Sequence, residues 1–558
     1  MNTSSFNLRK HHWARMALVL TLAFGTLTGH AQPVSPPAGF SLVGHIEKFT
    51  LTTPGVITSS AVVTVRGIDV ILPSNLVITL PGGYLTAEQL FRGRNFKTPE
   101  TPLRTGLALT EMTEADFACP AALAAAGKKC PLPPGEIELA GNIVPVGAAQ
   151  QYVAGTAAIS QGALHTGGGF IRSIDTASGF FTLGADVGTA PTARLRLNDP
   201  EGIYGPRPPA SKPLLLDMRF SLDPGNAPVH AMTGFPVCLP DSARPAVCPA
   251  NNRPAPNAPN YRRFTCGPSP VGVNEPVHAD CDPRLPVPLR VGDYVNYAGM
   301  LDKDRDDQRY FISVHGLEAQ LGIYTSPGLD PAYVFIEEAL QGTLGARWPL
   351  DAGTQIPQEA TSAFKLIGFT SDPSRTISVE IFDDDTHVNS LNPTLAPTRL
   401  ATKIVPTNLA QLGRFKMMWA AKEDARVVRR NVRVKLSDAT AGPATPSLAP
   451  GSASHKRPPA QLPAGASQRG GYAYGQYEAP ISEYISPEIT RFGVKGWPVP
   501  VNFEDFCFLK LTNIVGTQEP IDATNYRAVT VAPITPSPAA RPRSQLRADG
   551  SRVCGETN

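Results

Sequence analysis

One local pattern recurs along this chain and limits what it can become. A glycine-led run of β-branched and apolar residues enters a polar turn, and a second run of the same kind leaves it. Val291–Thr325 is the clearest copy, and Gly44–Leu80 and Gly155–Asn198 are built from similar parts. Val63, Val65, Val70 and Leu72 keep close to a two-residue period, broken at Arg66-Gly67 as a tight turn would break it. Arg194, Leu195, Arg196 and Leu197 alternate in the same way. Such runs suit a pleated sheet with one face buried. Proline, 57 of 558 residues, argues against long helices and for short strands joined by rigid loops. The fold class expected is mainly β: tandem small barrels or sandwiches, with oligonucleotide/oligosaccharide-binding-type barrels compatible, a few short helices and long Pro-rich loops.

The amino terminus reads as an export signal. Arg9, Lys10 and Arg15 precede an apolar run, Met16–Phe24, too short to serve as a permanent membrane anchor, and Gly29-His30-Ala31 offers small residues for cleavage before Gln32. The expected location is periplasmic or extracellular, with no membrane span once the leader is gone. Removing those three cations leaves basic and acidic residues equal in number, so charge gives no reason to expect nucleic acid as a partner.

Eight cysteines follow the leader: Cys119, Cys130, Cys238, Cys248, Cys266, Cys281, Cys507 and Cys554. An even count in an exported chain reads as disulfides, although roughly a hundred pairings are open to eight thiols. Sequence neighbours suggest 119–130, 238–248, 266–281 and 507–554. The closely spaced pairs that zinc prefers are absent.

In order, the expected organisation is a signal peptide (1–31), a first β-unit (38–110) and a helical connection (111–150). A second β-unit (151–205), a Pro/Cys-rich excursion (206–290) and a third β-unit (291–345) follow. A sandwich-like region (346–438), a low-complexity linker (439–470) and a carboxy-terminal docking segment with a tail (471–558) complete the chain. Short helices are expected at Thr86–Phe91, capped by Thr86, and over 113–129, interrupted by Pro120.

Candidates for chemistry are few. Asp302, Asp304 and Asp306 alternate in an acidic turn, an arrangement that can wrap oxygens around a divalent cation such as calcium. The turn departs from the EF-hand loop at Asp307 and Ser313, which leaves a solvated hairpin as the competing reading. Asp383, Asp385 and His387 form a second cluster that suits a divalent cation or general-base chemistry, or simply a polar turn after a strand. Arg429, Arg430 and Arg433 put cations along one strand, either for an acidic or sulfated ligand or to protect a sheet edge. Trp348, Trp419, Trp497, Tyr472, Tyr474, Tyr477 and Tyr484 form a sugar-stacking platform if they converge, or belong to cores. Nucleophile-elbow, phosphate-loop and dinucleotide signatures are all missing. The leading expectation is a non-catalytic binding or surface-associated protein whose partner is a polysaccharide or cell-surface polymer. The alternatives are a secreted polymer hydrolase using carboxylates and an accessory protein of a metal-dependent oxidase.

Overall fold

The structure is a computed structural model that describes, with short internal breaks, residues 38–344, 361–382, 399–437 and 474–485, together with 544–546 and 552–554. The leader, the linker 439–470 and Cys507 lie outside the described residues, and with Cys507 the suggested 507–554 pairing.

The first barrel is made by β1 (Ala38–Leu51), β2 (Ala61–Val65), β3 (Ile68–Leu72), β6 (Glu136–Val146) and β7 (Ala149–Ile159). The hairpin β4 (Val77–Leu80) and β5 (Gly83–Thr86) extends the same sheet beyond β7. β1 pairs with β6 over its first half and with β2 over its second, and a bulge between Ile46 and Lys48 bends it from one partner to the other. The β2–β3 turn is Arg66-Gly67 with both residues at positive φ, the geometry that matches the twist of a tight hairpin. The carboxylate of Glu47 accepts the Gly67 N–H at 3.1 Å. Parallel pairing of β3 with β7 closes the barrel. Val63, Val65, Val70, Leu72, Leu139 and Ile159 fill it, the alternation legible in the sequence.

A second barrel repeats the strand order with β8 (Thr166–Ile174), β9 (Phe180–Gly184), β10 (Ala193–Leu197), β16 (Tyr294–Lys303) and β17 (Tyr310–Ala319). Again the third and fifth strands close in parallel, here β10 on β17. This is the Greek-key arrangement of an oligonucleotide/oligosaccharide-binding barrel. The sequence suggests three β-units, but the structure makes two barrels. Residues expected as a helical connection contain β6, and the units expected at 151–205 and 291–345 supply the two halves of the second barrel, although the former also holds most of β7 of the first barrel and the latter runs on past β17 into other sheets. The reason is the long excursion between β10 and β16, which carries β11 (Val229–Ala231), β12 (Val237–Cys238), β13 (Arg263–Cys266), β14 (Val277–His278) and β15 (Val287–Pro288).

β18 (Gly322–Thr325) leads to a two-sheet sandwich. One sheet orders β23 (Arg414–Ala421), β20 (Thr361–Thr370), β19 (Val334–Leu344) and β26 (Glu483–Ile485). The facing sheet orders β22 (Arg399–Val405), β21 (Ile377–Phe382), β24 (Asn431–Leu436) and β25 (Gln476–Pro480). Val334, Leu366, Val379, Phe415, Val432 and Val434 form its core. Of the carboxy-terminal segment expected after residue 471, β25 pairs with β24 and β26 with β19, and most of the remainder lies outside the described residues.

Three disulfides form, Cys119–Cys130, Cys238–Cys248 and Cys266–Cys281, and they fit an oxidising compartment. The helices are short as expected. α1 (Ala87–Leu90) has Thr86 at its cap with a reciprocal Gln89 bond, and α2 (Ala121–Ala125) begins after Pro120. Among the described residues no helix is long and apolar enough to cross a membrane.

Candidate functional site

The outer face of the second barrel gathers polar and aromatic side chains from four strands. Gly168 on β8 stands opposite Asn296 on β16, Asn296 opposite Glu318 on β17, and Glu318 opposite His230 on β11. The alternation of β16 explains why: Val295 points into the core, which turns Tyr294 and Asn296 outward. One row along, Phe170 meets Tyr294 edge-on with ring centroids 5.1 Å apart. The Gln320 amide donates to the Glu318 carboxylate at 3.3 Å.

The Gly167–Gly169 run makes room for this arrangement. A Cβ on Gly168 would lie 2.6 Å from Asn296 Oδ1 and 2.8 Å from Tyr294 Oη. Asn296 and Tyr294 therefore lean over bare backbone, and any larger residue there would push them off it.

Electrostatics sets this face apart. Burial raises the Glu318 carboxyl above its ordinary value, against the opposing effect of its hydrogen bond from Asn296. Glu337 is the extra residue of a bulge in β19, between Ile336 and Glu338, and its own pKa is raised by burial and then by the charge of Glu318. Glu338 is engaged by Lys365 at 2.8 Å, and Arg414 works against the rise at Glu337. Across the row, burial pulls His230 down to about 4, so its ring is neutral at neutral pH. That ring bonds the Ala231 carbonyl through Nδ1 and lies 4.4 Å from the Phe335 ring. Together these groups offer hydroxyl-bonding amides, two carboxyls that hold protons more readily than usual, and an aromatic pair beside them.

The residues singled out in the sequence go elsewhere. Asp302 is buried and paired with Arg94 at 2.5 Å, while Asp304 takes Arg194 at 3.2 Å. Asp304 also accepts the Asp306 N–H at 3.0 Å, so the acidic turn is organised by arginines and its own backbone. Among the described residues, no three or more His, Cys, Asp or Glu side chains are placed to hold a metal ion, and the calcium reading of this turn finds no donor set there. Asp383, Asp385, His387, Arg429 and Arg430 lie outside the described residues.

Arg433 is only 8% exposed, on a strand paired on both sides by β21 and β25. The protected-edge reading is thereby corrected. Its alternation with Val432 and Val434 reflects one face of a central strand packed on the sandwich core. Tyr474 and Tyr477 pack against cores, and Trp348, Trp497 and Tyr472 lie outside the described residues.

Sequence reasoning missed Tyr294, Asn296, Glu318 and Glu337. The glycine run beside an alternating Tyr-Val-Asn-Tyr was the only local sign. Comparison with known protein families, with curated proteins and with solved structures finds no match for this chain.

Proposed function

We propose that this is an exported binding protein, periplasmic or extracellular, that engages a polysaccharide or another hydroxyl-rich cell-surface polymer on the outer face of its second barrel. The observation that carries the reading is the row Gly168–Asn296–Glu318 with Tyr294 and Phe170 beside it. Sugars present alternating C–H faces and hydroxyls, which aromatic faces and paired amide and carboxyl groups complement. The row lies on the first, fourth and fifth strands of the barrel and on β11, away from the second and third strands with which barrels of this type commonly bind polymers.

The test is retention of the mature protein on immobilised neutral and acidic polysaccharides. Tyr294→Ala and Asn296→Ala are each expected to weaken binding at least about tenfold, or ~1.4 kcal/mol, with circular dichroism unchanged. Retention that survives both substitutions would remove this face from the reading, and no retention on any polysaccharide would remove the reading itself.

A second reading, a polymer hydrolase, is favoured by one observation. Burial raises the proton affinity of Glu318 and of Glu337, and the charge of Glu318 raises that of Glu337 further from a different domain, the kind of carboxyl pairing that acid–base chemistry uses. It requires that the retained polymer be cut, and that Glu318→Gln and Glu337→Gln each abolish the release of new chain ends.

A further inference from the structure

A surface that bonds hydroxyls still has to choose among the many polymers that carry them, and charge is what separates those polymers. Once ionised, Glu318 is the only charge in the row Gly168–Asn296–Glu318–His230, because burial keeps the His230 ring neutral. Its half-buried carboxylate accepts from the Gln320 amide at 3.3 Å and from Asn296 on the neighbouring strand. A carboxylate fixed on two amides stays in the path of a chain laid along the row.

The sandwich brings a second acid beside it. Phe335 lies against the His230 ring, which holds the start of β19 on the row. Two residues on, the bulge in β19 makes Glu337 an extra, exposed residue. Burial raises the pKa of Glu337 first, and the charge of Glu318 raises it next. Cations stand on the sandwich side, yet they do not cancel this pair. Lys365 of β20 is tied to Glu338 at 2.8 Å. Arg414 of β23 opposes the rise at Glu337, with a weaker effect than that of Glu318. Beside Glu318 and across from it, β16 and β8 contribute Asn296 and Gly168, neither of them charged.

We infer that Glu318 and Glu337 make this face selective for a neutral, hydroxyl-rich polysaccharide and turn away polymers that bear sulfate or uronate groups. The inference rests on the polymer-binding reading of the face and narrows it. An ionised carboxylate only accepts hydrogen bonds, so it suits the hydroxyl protons of a neutral chain. An anionic substituent brings no proton and meets like charge. Both carboxyls hold protons more readily than usual, so the rejection belongs to high pH and fades as pH falls through their values.

The experiment is retention of the full mature chain on immobilised dextran, cellulose and xylan and on the sulfate ester of each, at low constant ionic strength, where repulsion is not screened. Sulfate esters keep their charge throughout, so a change with pH comes from the protein. Only retention that Tyr294→Ala removes counts as binding to this face. At pH 8 the neutral form of a retained polymer is expected to hold at least about tenfold better than its ester. That ratio should narrow several-fold at pH 5, where the His230 ring is still mostly uncharged, and narrow likewise at pH 8 in Glu318→Gln. Glu337→Gln, at an exposed position, moves the ratio the same way and decides the matter if Glu318→Gln does not fold. Equal retention of the two forms at pH 8 overturns the inference and leaves the face as a polymer site. A preference that neither pH 5 nor either substitution narrows also overturns it, because the selection would then be one of shape. If no polymer shows retention that depends on Tyr294, the reading of the face fails and the inference falls with it.

Discussion

His230 shows how much a single buried side chain can set the behaviour of a domain. Its ring is neutral in the folded state because burial pulls the pKa from an ordinary 6.5 to about 4. The unfolded chain takes up a proton between those values and the folded chain does not, so this residue's contribution to stability is complete above pH 6.5. It is lost as pH falls toward 4, by up to about 3 kcal/mol. Glu318 and Glu337, with raised pKa values, act in the opposite sense: their contribution is full below the ordinary carboxyl range and declines as pH rises through their folded values. His230→Phe separates the two effects. The substitution keeps a ring against Phe335, and the Ala231 carbonyl it vacates still receives the Gly234 N–H at 2.8 Å. Urea midpoints measured at pH 7 and pH 4.5 should show the wild type losing about 2 kcal/mol more than the variant across that interval. Parallel losses would mean that His230 is protonated in the folded state.

The elements themselves were legible in part, and what decided legibility was the range of the interaction that specifies them. Alternation along Val63–Leu72, the Thr86 cap, the break at Pro120 and the three short-range disulfides depend on residues close in sequence, and the structure contains each of them. The closing pairs, β3 on β7 and β10 on β17, join strands with long intervening stretches, and no local pattern announces them. Two barrels therefore read as three units. The polar row was hidden for the same reason, because residues 168, 230, 296 and 318 meet only after four strands have found their registers. Glu318 in particular sits where an alternating strand would be expected to show an ordinary solvent-facing carboxylate.

The excursion that separates the halves of the second barrel is held by covalent and ionic means. Cys266–Cys281 closes a loop with a sequence separation of 15, and Arg253 with Asp293, both almost fully buried, ties the excursion to the start of β16 at 2.6 Å. Replacing both cysteines by alanine frees the unfolded loop and is expected to cost about 3 kcal/mol. Hydrogen exchange should rise in β13 and β14, while β1 and β2 stay protected. A loss spread evenly over the first barrel would show that the cross-link supports more than its own excursion.

At the scale of the molecule, the two barrels are joined by buried ion pairs as well as by Met218, Phe220 and Met300 packed on the first barrel's core, and the ionic part of such a junction tends to fail all at once. A flat apolar contact would tolerate the loss of a methyl group with a proportionate cost, whereas a buried ion pair that loses one partner leaves the other charge stranded. Arg94 follows α1 of the first barrel and Asp302 lies on β16 of the second, with side chains 17% and 8% exposed. Burial disfavours the charge on Arg94, but Asp302 and then Asp217 outweigh it and hold its pKa above the ordinary value. Next along the chain, Lys303 grips carbonyls on both sides of the Cys119–Cys130 disulfide, so the same strand holds the first barrel twice. Asp302→Asn keeps the shape and removes the charge. It is expected to cost about 3 kcal/mol, because Arg94 stays buried without its counter-ion. If the barrels unfold as one cooperative body, amide protection should fall together in β1, β6, β16 and β17, and a single denaturation transition should shift without broadening. Protection lost in β16 and β17 alone, with the first barrel unchanged, would show that each barrel stands by itself and that the seam only orients them.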